Sequence, residues 1–300
     1  MSWNTNKKEE KKRMSFEERK KLMLKLAEER YKRDISYILC GIYAHPKECK
    51  SGSAIDCRTD EEIEKGMEVH ILDLDDGCTP TVKANWPDDP NIHIHMPNVW
   101  RANGTPDWEE TFENCLAAIS IIQDAVATGN VKAVIFDGVD KLLEGSSTIL
   151  RESLVNMNQD RIKVQQATAN LKVKGLQWKI RNDIYDMVLN PIIALDCHRF
   201  IITHLKADYD GIGVPIAVGY SPDWYKTTPH KLLQMVGLRK EKRGRDIYYI
   251  ATLESCKENP KAVGKEWVVF IDKHEGENEW FGIQDFKDGR FSSPDEEGGN

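Results

Sequence analysis

Lys50 and Ser51 close an octapeptide, Ala44-His45-Pro46-Lys47-Glu48-Cys49-Lys50-Ser51, that sits just behind the apolar run Tyr37–Cys40. A lysine followed by a hydroxyl residue at the end of such a loop is suited to phosphate binding. Successive backbone amides cradle phosphate oxygens, the ammonium reaches the terminal phosphates and the hydroxyl ligates Mg²⁺. Against the pattern G-x-x-x-x-G-K-[ST], Ala44 and Cys49 stand where glycines belong, and Gly52 follows the motif. Glycine at those places allows unusual dihedrals and close approach of backbone to ligand. Ala44 is a mild departure. Cys49 is the serious one, since a side chain next to the lysine crowds the phosphate or strains the turn.

Three more strand-like runs end in polar groups. "KAVIFDGVDKL" is an apolar run closing on Asp137, "VHILDLDDG" closes on Asp73, Asp75 and Asp76, and "RFIITHLK" closes on Thr203 and His204. Open α/β folds bind ligands at the carboxyl edge of their sheet, and all four polar ends are expected there. A single acid at a strand end is an ordinary solvated group; four in one chain, correctly ordered, form a constellation. Cys40, His45, Cys49, Cys57 and Cys78 offer zinc-ligand chemistry as an alternative, but the paired C-x₂-C spacing is absent. The nucleophile elbow G-x-S-x-G is also absent around Ser51-Gly52-Ser53-Ala54.

The elements that must position these residues alternate. Strands are predicted at 36–42, 68–74, 91–95, 132–136 and 199–203, with helices over 50–57, 108–128, 141–154 and 176–195. Strands separated by helices imply βαβ units and a mostly parallel sheet flanked by helices. Beyond Pro229, the runs 231–239, 246–254 and 266–272 read as antiparallel strands extending one edge. Ahead of this body, Ser15-Phe16-Glu17-Glu18 is a capping box opening an amphipathic helix to about Arg33.

The chain has 300 residues, 40% hydrophobic and 30% charged, ample for a sizeable core. No run approaches the roughly 20 apolar residues of a membrane helix, and seven scattered cysteines suit a reducing cytoplasm. Residues 1–34 hold twelve Lys/Arg against seven Asp/Glu, leaving −12 for a body whose total with them is −7. Any contact with nucleic acid must therefore be local. The stretch between Asp160 and Asp183 is the basic exception, carrying Arg161, Lys163, Lys172, Lys174, Lys179 and Arg181 with Trp178 among them and no acid. Phosphate tracking with a base-stacking platform is the sharper reading of that stretch, a solvated basic face the plainer one.

The order of these motifs resembles the RecA-type P-loop ATPases with a degenerate Walker A loop, especially the short RecA/RadA-like ATPases of phages and archaeal viruses that serve recombination or single-strand annealing. The resemblance covers residues 35–272. It sets apart residues 1–34, a disordered segment and the amphipathic helix, and 273–300, a C-terminal extension and acidic flexible tail. It implies ATP and Mg²⁺ as ligands, with residues 44–52 as the phosphate loop. Lys50 would hold the terminal phosphates, Ser51 and Asp137 the metal, and Thr203 and His204 would match the polar sensor. The family's water-polarising Glu is replaced by Asp75 or Asp76, one methylene shorter, which implies slow hydrolysis. Lys257 would be a cation acting on a neighbouring subunit. Two DNA-binding loops would correspond to 144–175 and to 205–229, the latter including Lys206. Single-stranded DNA and further copies of the chain are the implied partners, in the cytoplasm, or the host cytoplasm if the protein is viral. The alternative is a nucleotide-binding or nucleotide-free scaffold with little or no turnover.

Overall fold

The computed structural model describes residues 15–32, 37–157, 175–210 and 216–293. The segment 1–14, the basic residues Arg161, Lys163, Lys172 and Lys174, and the end of the acidic tail lie outside them. Two compact units are present, 1–36 and 37–300. In the first, helix α1 (Phe16–Lys32) opens on the expected capping box. The Ser15 amide donates to Glu18 Oε2 at 2.7 Å, and the Glu18 amide donates to Ser15 Oγ at 3.3 Å. Phe16, Met23 and Leu24 on this helix are exposed.

The second unit is built on strands β1 (Leu39–Ala44), β2 (Glu68–Asp73), β3 (Ile92–His95), β4 (Val131–Asp137), β5 (His198–Asp210), β6 (Ile216–Pro222), β7 (Gln234–Arg243), β8 (Asp246–Cys256), β9 (Glu266–Asp272) and β10 (Glu279–Trp280). The main sheet runs β10-β9-β8-β7-β1-β5-β4-β2-β3. Strands β3, β2, β4, β5, β1 and β7 are parallel, and β7 to β10 are antiparallel. The sequence reading made β7 antiparallel from its start. It instead lies parallel to β1 and is the strand at which direction begins to alternate.

Every residue of β1 and β4 is buried, as expected for central strands covered on both faces. Side chains of β1, β4, β5 and of Ile38 just ahead of β1 alternate between two cores. Ile38, Cys40 and Ile42 join α2 (Lys50–Ile55) and the C-terminal Ile283, Phe286 and Phe291 on one face. Leu39, Val134, Phe136 and Ile201 join α5 (Trp108–Ala127), α6 (Val139–Met157) and α7 (Gly175–Ile193) on the other. Between these lie two short helices, α3 (Asp60–Glu64), opened by a Thr59–Glu62 capping box, and α4 (Cys78–Asn85). The region 205–229, expected as an irregular loop, contains a hairpin in which β5 runs on past the sheet and pairs with β6. It leads to the short α8 (Thr228–Lys231), and α9 (Gln284–Asp288) closes the described chain.

Candidate functional site

The sheet register brings the polar strand ends together. Ala44 of β1 pairs with His204 of β5, Asp137 of β4 pairs with Ile202 of β5, and Asp73 of β2 pairs with Asp137. The octapeptide leaves β1 at this edge and turns into α2. Its turn depends on left-handed backbone at Lys47 (φ 63°) and at Cys49 (φ 56°), the residue capping α2. Position 49 therefore has the conformation that a glycine adopts most easily, and here a cysteine holds it.

A cavity of about 580 Å³ opens over this loop, lined by residues 46–52, by Asp75, Asp137 and His204, by α4, and by Phe270 and Trp280. That volume is in the range of small-molecule sites, roughly 300–1,000 Å³. Gly52 is fixed by this wall, because a Cβ there would meet the Trp280 ring at 2.4 Å.

Ser51 Oγ donates to Asp137 Oδ2, joining the loop to β4. The Cys78 thiol donates to the same oxygen at 3.2 Å. Burial pushes the Asp137 carboxyl up to about 6, Asp73 and Asp75 act in the same direction, and Ser51 and Cys78 oppose it. Lys50 is buried, and its Nζ donates to the His45 carbonyl at 3.2 Å. Burial lowers its pKa against the opposing charges of Asp137, Asp75, Asp140 and Glu48.

His204 lies between two acids, with Nε2 3.5 Å from Asp75 and Nδ1 3.3 Å from Asp140. The Asp140 hydrogen bond raises the imidazole above its ordinary value, with burial and Lys50 opposing. Asp73 faces inward instead, its carboxylate accepting the Asp75 amide at 3.0 Å and the Cys78 amide at 2.8 Å.

Several expected site residues fall elsewhere. Thr203 does not reach the cavity: it is fully buried, and its Oγ1 donates to the Asp223 carbonyl at 2.8 Å, holding the exit of the hairpin. Between the two acids offered for water orientation, Asp75 lines the cavity. Asp76 is exposed and accepts from Asn98 Nδ2 at 2.8 Å. Ala44 is buried at the end of β1 and supplies no lining. His45 turns its ring edge-on to Tyr220 of β6, centroids 4.6 Å apart. Lys257 donates to the carbonyls of His230 and Leu232 at 3.0 and 2.6 Å, so its ammonium is engaged within its own chain.

The zinc set considered above does not assemble. Among the described residues, Cys78 groups with Asp73 and Asp137, and neither possible metal-binding group contains Cys40, His45, Cys49 or Cys57.

Glu48 was read in the sequence only as part of the 44–52 loop, and other lining residues carried no distinct signal. Glu48 is buried within the loop, and its Oε2 accepts the His45 amide at 3.1 Å. Asp140 was visible only as a second acid in "FDGVD", and Phe270 and Trp280 come from distant strands.

A second hollow of about 460 Å³ lies against the hairpin and includes Trp178, Arg181, Lys206 and Tyr225 in its lining. The Arg181 guanidinium sits 4.7 Å from the Trp178 ring centroid and 5.1 Å from that of Tyr225. Lys206 pairs with Asp223 at 3.0 Å, and Lys179 is exposed on the same helix without entering the lining.

No family model matches the chain, and no curated protein matches it. Among solved structures it is similar to a RadB recombinase, at 12% identity over 77% of this chain and 86% of that one, with a TM-score of 0.39. It is also similar to a KaiC-like protein of the hyperthermophilic archaeon Pyrococcus horikoshii, at 8% identity over 78% and 84%, with the same TM-score. Likenesses this remote carry nothing about ligands. The fold rests on the chain's own strand order, an α/β sheet, mostly parallel, flanked by helices and extended by C-terminal antiparallel strands.

Proposed function

We propose that this chain binds ATP with Mg²⁺ at the 44–52 loop, hydrolyses it slowly, and acts on single-stranded DNA as a homo-oligomer of the short viral RecA/RadA-like type. The observation that carries the nucleotide reading is the Ser51–Asp137 hydrogen bond on the cavity floor beside the buried Lys50. A hydroxyl and a carboxylate held together at a loop-to-strand junction are hard oxygen donors suited to Mg²⁺. Ser51 and Asp137 would hold the ion, which supplies charge neutralisation at the transferring phosphoryl group.

The remaining work falls to this chain's own side chains. Lys50 exchanges the His45 carbonyl for terminal phosphate oxygens. Asp75 orients the attacking water, and His204, set between Asp75 and Asp140, holds that carboxylate in place. The α4 face with Phe270 and Trp280 offers an apolar wall for the base.

A second reading, nucleotide binding with almost no turnover, is favoured by two features of the same loop. Glu48 places an acid where phosphate must sit, and Asp75 is one methylene shorter than the glutamate that the resemblance implies. The DNA reading rests on the cation–aromatic hollow of Trp178, Arg181 and Tyr225. The oligomer reading rests on the exposed apolar side chains of α1.

Calorimetry of MgATP binding to the wild type and Lys50→Ala, with phosphate release followed on the same samples, tests the proposal. Saturable binding lost in Lys50→Ala, with turnover stimulated by single-stranded DNA, is the expected result. Binding without turnover selects the scaffold reading. No binding at millimolar nucleotide overturns both.

A further inference from the structure

We propose that Glu68, His70 and His93 form a zinc site at the β3 edge of the sheet, separate from the nucleotide cavity. The placement follows from the strands. Residues two apart on a strand share a face, so Glu68 and His70 lie together on β2, and His93 and His95 together on β3. The parallel register sets His70 directly beside His93. Three imidazoles and a carboxylate thus gather on one patch of the outermost pair of strands.

The donor atoms converge. His70 Nε2 lies 3.0 Å from Glu68 Oε2, and His93 Nε2 lies 4.0 Å from the same oxygen. One ligand atom from each residue falls within 4.8 Å of the others. Tetrahedral zinc with bonds of about 2.0–2.1 Å places neighbouring donors about 3.3 Å apart, a separation that the two observed distances bracket. Small side-chain adjustments close the site without moving backbone.

Outer-shell geometry supports the same reading. Zinc-bound histidines use one ring nitrogen for the metal and the other for a hydrogen bond that fixes the tautomer. His70 Nδ1 meets His95 Nε2 at 3.1 Å, so with Nδ1–H donating to His95, His70 Nε2 can exchange its contact with Glu68 for the metal. His70 is buried while His93 and Glu68 are partly exposed, which gives an ion its entry and a solvent molecule the fourth position. Two imidazoles and one carboxylate suit a late first-row divalent ion, and zinc in particular, over Mg²⁺ or Ca²⁺. The bound ion would tie the edge strand β3 to β2, the strand that leads to Asp75 at the nucleotide cavity.

The test uses the untagged full-length chain, titrated with Zn²⁺ alone by calorimetry and with Co²⁺ by absorption. One equivalent of Zn²⁺ is expected to bind at micromolar protein. His93→Ala and Glu68→Gln, both partly exposed positions, should each weaken binding by at least ~10-fold, and His95→Ala by a smaller factor. The Co²⁺ form should show visible d–d bands and no thiolate charge-transfer band. Circular dichroism of each variant establishes that it is folded. Absence of saturable binding, wild-type affinity in both His93→Ala and Glu68→Gln, or a thiolate band that assigns the ion to cysteines such as Cys78 would each overturn the site.

Discussion

Glu48 Oε2 accepts the backbone N–H of His45 at 3.1 Å, so a carboxylate of the loop occupies one of the loop's own amides. An incoming phosphate must displace that carboxylate and then tolerate its charge. Glu48→Gln keeps the shape and removes the charge. MgATP should bind the variant about tenfold more tightly, close to 1.4 kcal/mol, as read by calorimetry. Equal affinities would mean that Glu48 swings clear of the phosphates on binding.

Cys49 holds a left-handed backbone at φ 56°. Left-handed geometry costs a residue with a Cβ about 1–2 kcal/mol relative to its usual conformations. Cys49→Gly should therefore raise stability to urea by about 1 kcal/mol once the greater chain entropy of glycine is offset, whereas Cys49→Ala should give no such gain. Burial pushes the Cys49 thiol up to about 12, so disulfide reagents should modify it slowly at pH 8.

The Asp137 carboxyl titrates at about 6 in the fold, against an ordinary value of 3.8. A carboxyl raised by folding favours the folded state while it is protonated. Its contribution is complete below the unfolded value and is lost as pH rises through about 6. Asp137→Asn removes that loss. In the presence of EDTA at pH 7.5 the variant should exceed the wild type in stability by on the order of 2 kcal/mol, with the gap closing towards pH 4. The same substitution should abolish Mg²⁺-dependent nucleotide binding. Urea titrations across that pH range and calorimetry at pH 7.5 read the two effects.

Arg181 sits between Trp178 and Tyr225 at the second hollow. If single strands track this surface, Arg181→Ala should reduce the slope of log K against log salt by about 0.7, the value for one phosphate contact on a single strand. Trp178→Ala should cost about 1–3 kcal/mol in affinity with little change in slope. Fluorescence anisotropy with a labelled oligonucleotide at several salt concentrations separates the two.

Lys257 donates to two backbone carbonyls at the end of α8. Lys257→Ala should destabilise the chain by about 1 kcal/mol and leave phosphate release per folded molecule unchanged. A loss of turnover with unchanged stability would instead restore it as a cation acting between subunits.

Central strands were readable because both of their faces are buried, which leaves continuous apolar runs at β1 and β4. The direction of β7 was not, since its residue pattern is the same whichever way it runs and the crossover alone sets it. At the site, Asp75, Asp137 and His204 were visible as polar groups at strand ends, and Lys50 and Ser51 as the close of the loop that follows β1. Thr203 is set apart from His204 for a geometric reason: adjacent residues on a strand face opposite sides, so only one of the two can turn to the cavity. Glu48, Cys78 and the aromatic pair Phe270 and Trp280 act through neighbours that only the folded chain supplies. The histidine cluster at β3 was hidden likewise, because it depends on the register of two strands more than on any spacing along one.

The edge-on contact of His45 with Tyr220 joins the 44–52 loop to the β5–β6 hairpin, so displacing either segment reshapes that ring pair. If occupancy of one alters this contact, thermodynamic reciprocity requires the other to respond by an equal free energy. A strand of nucleic acid that shifts the hairpin would then be felt as a change in nucleotide affinity, and the nucleotide would grade the grip of the hairpin in return. That ring pair would be a single mechanical joint through which the two ligands negotiate.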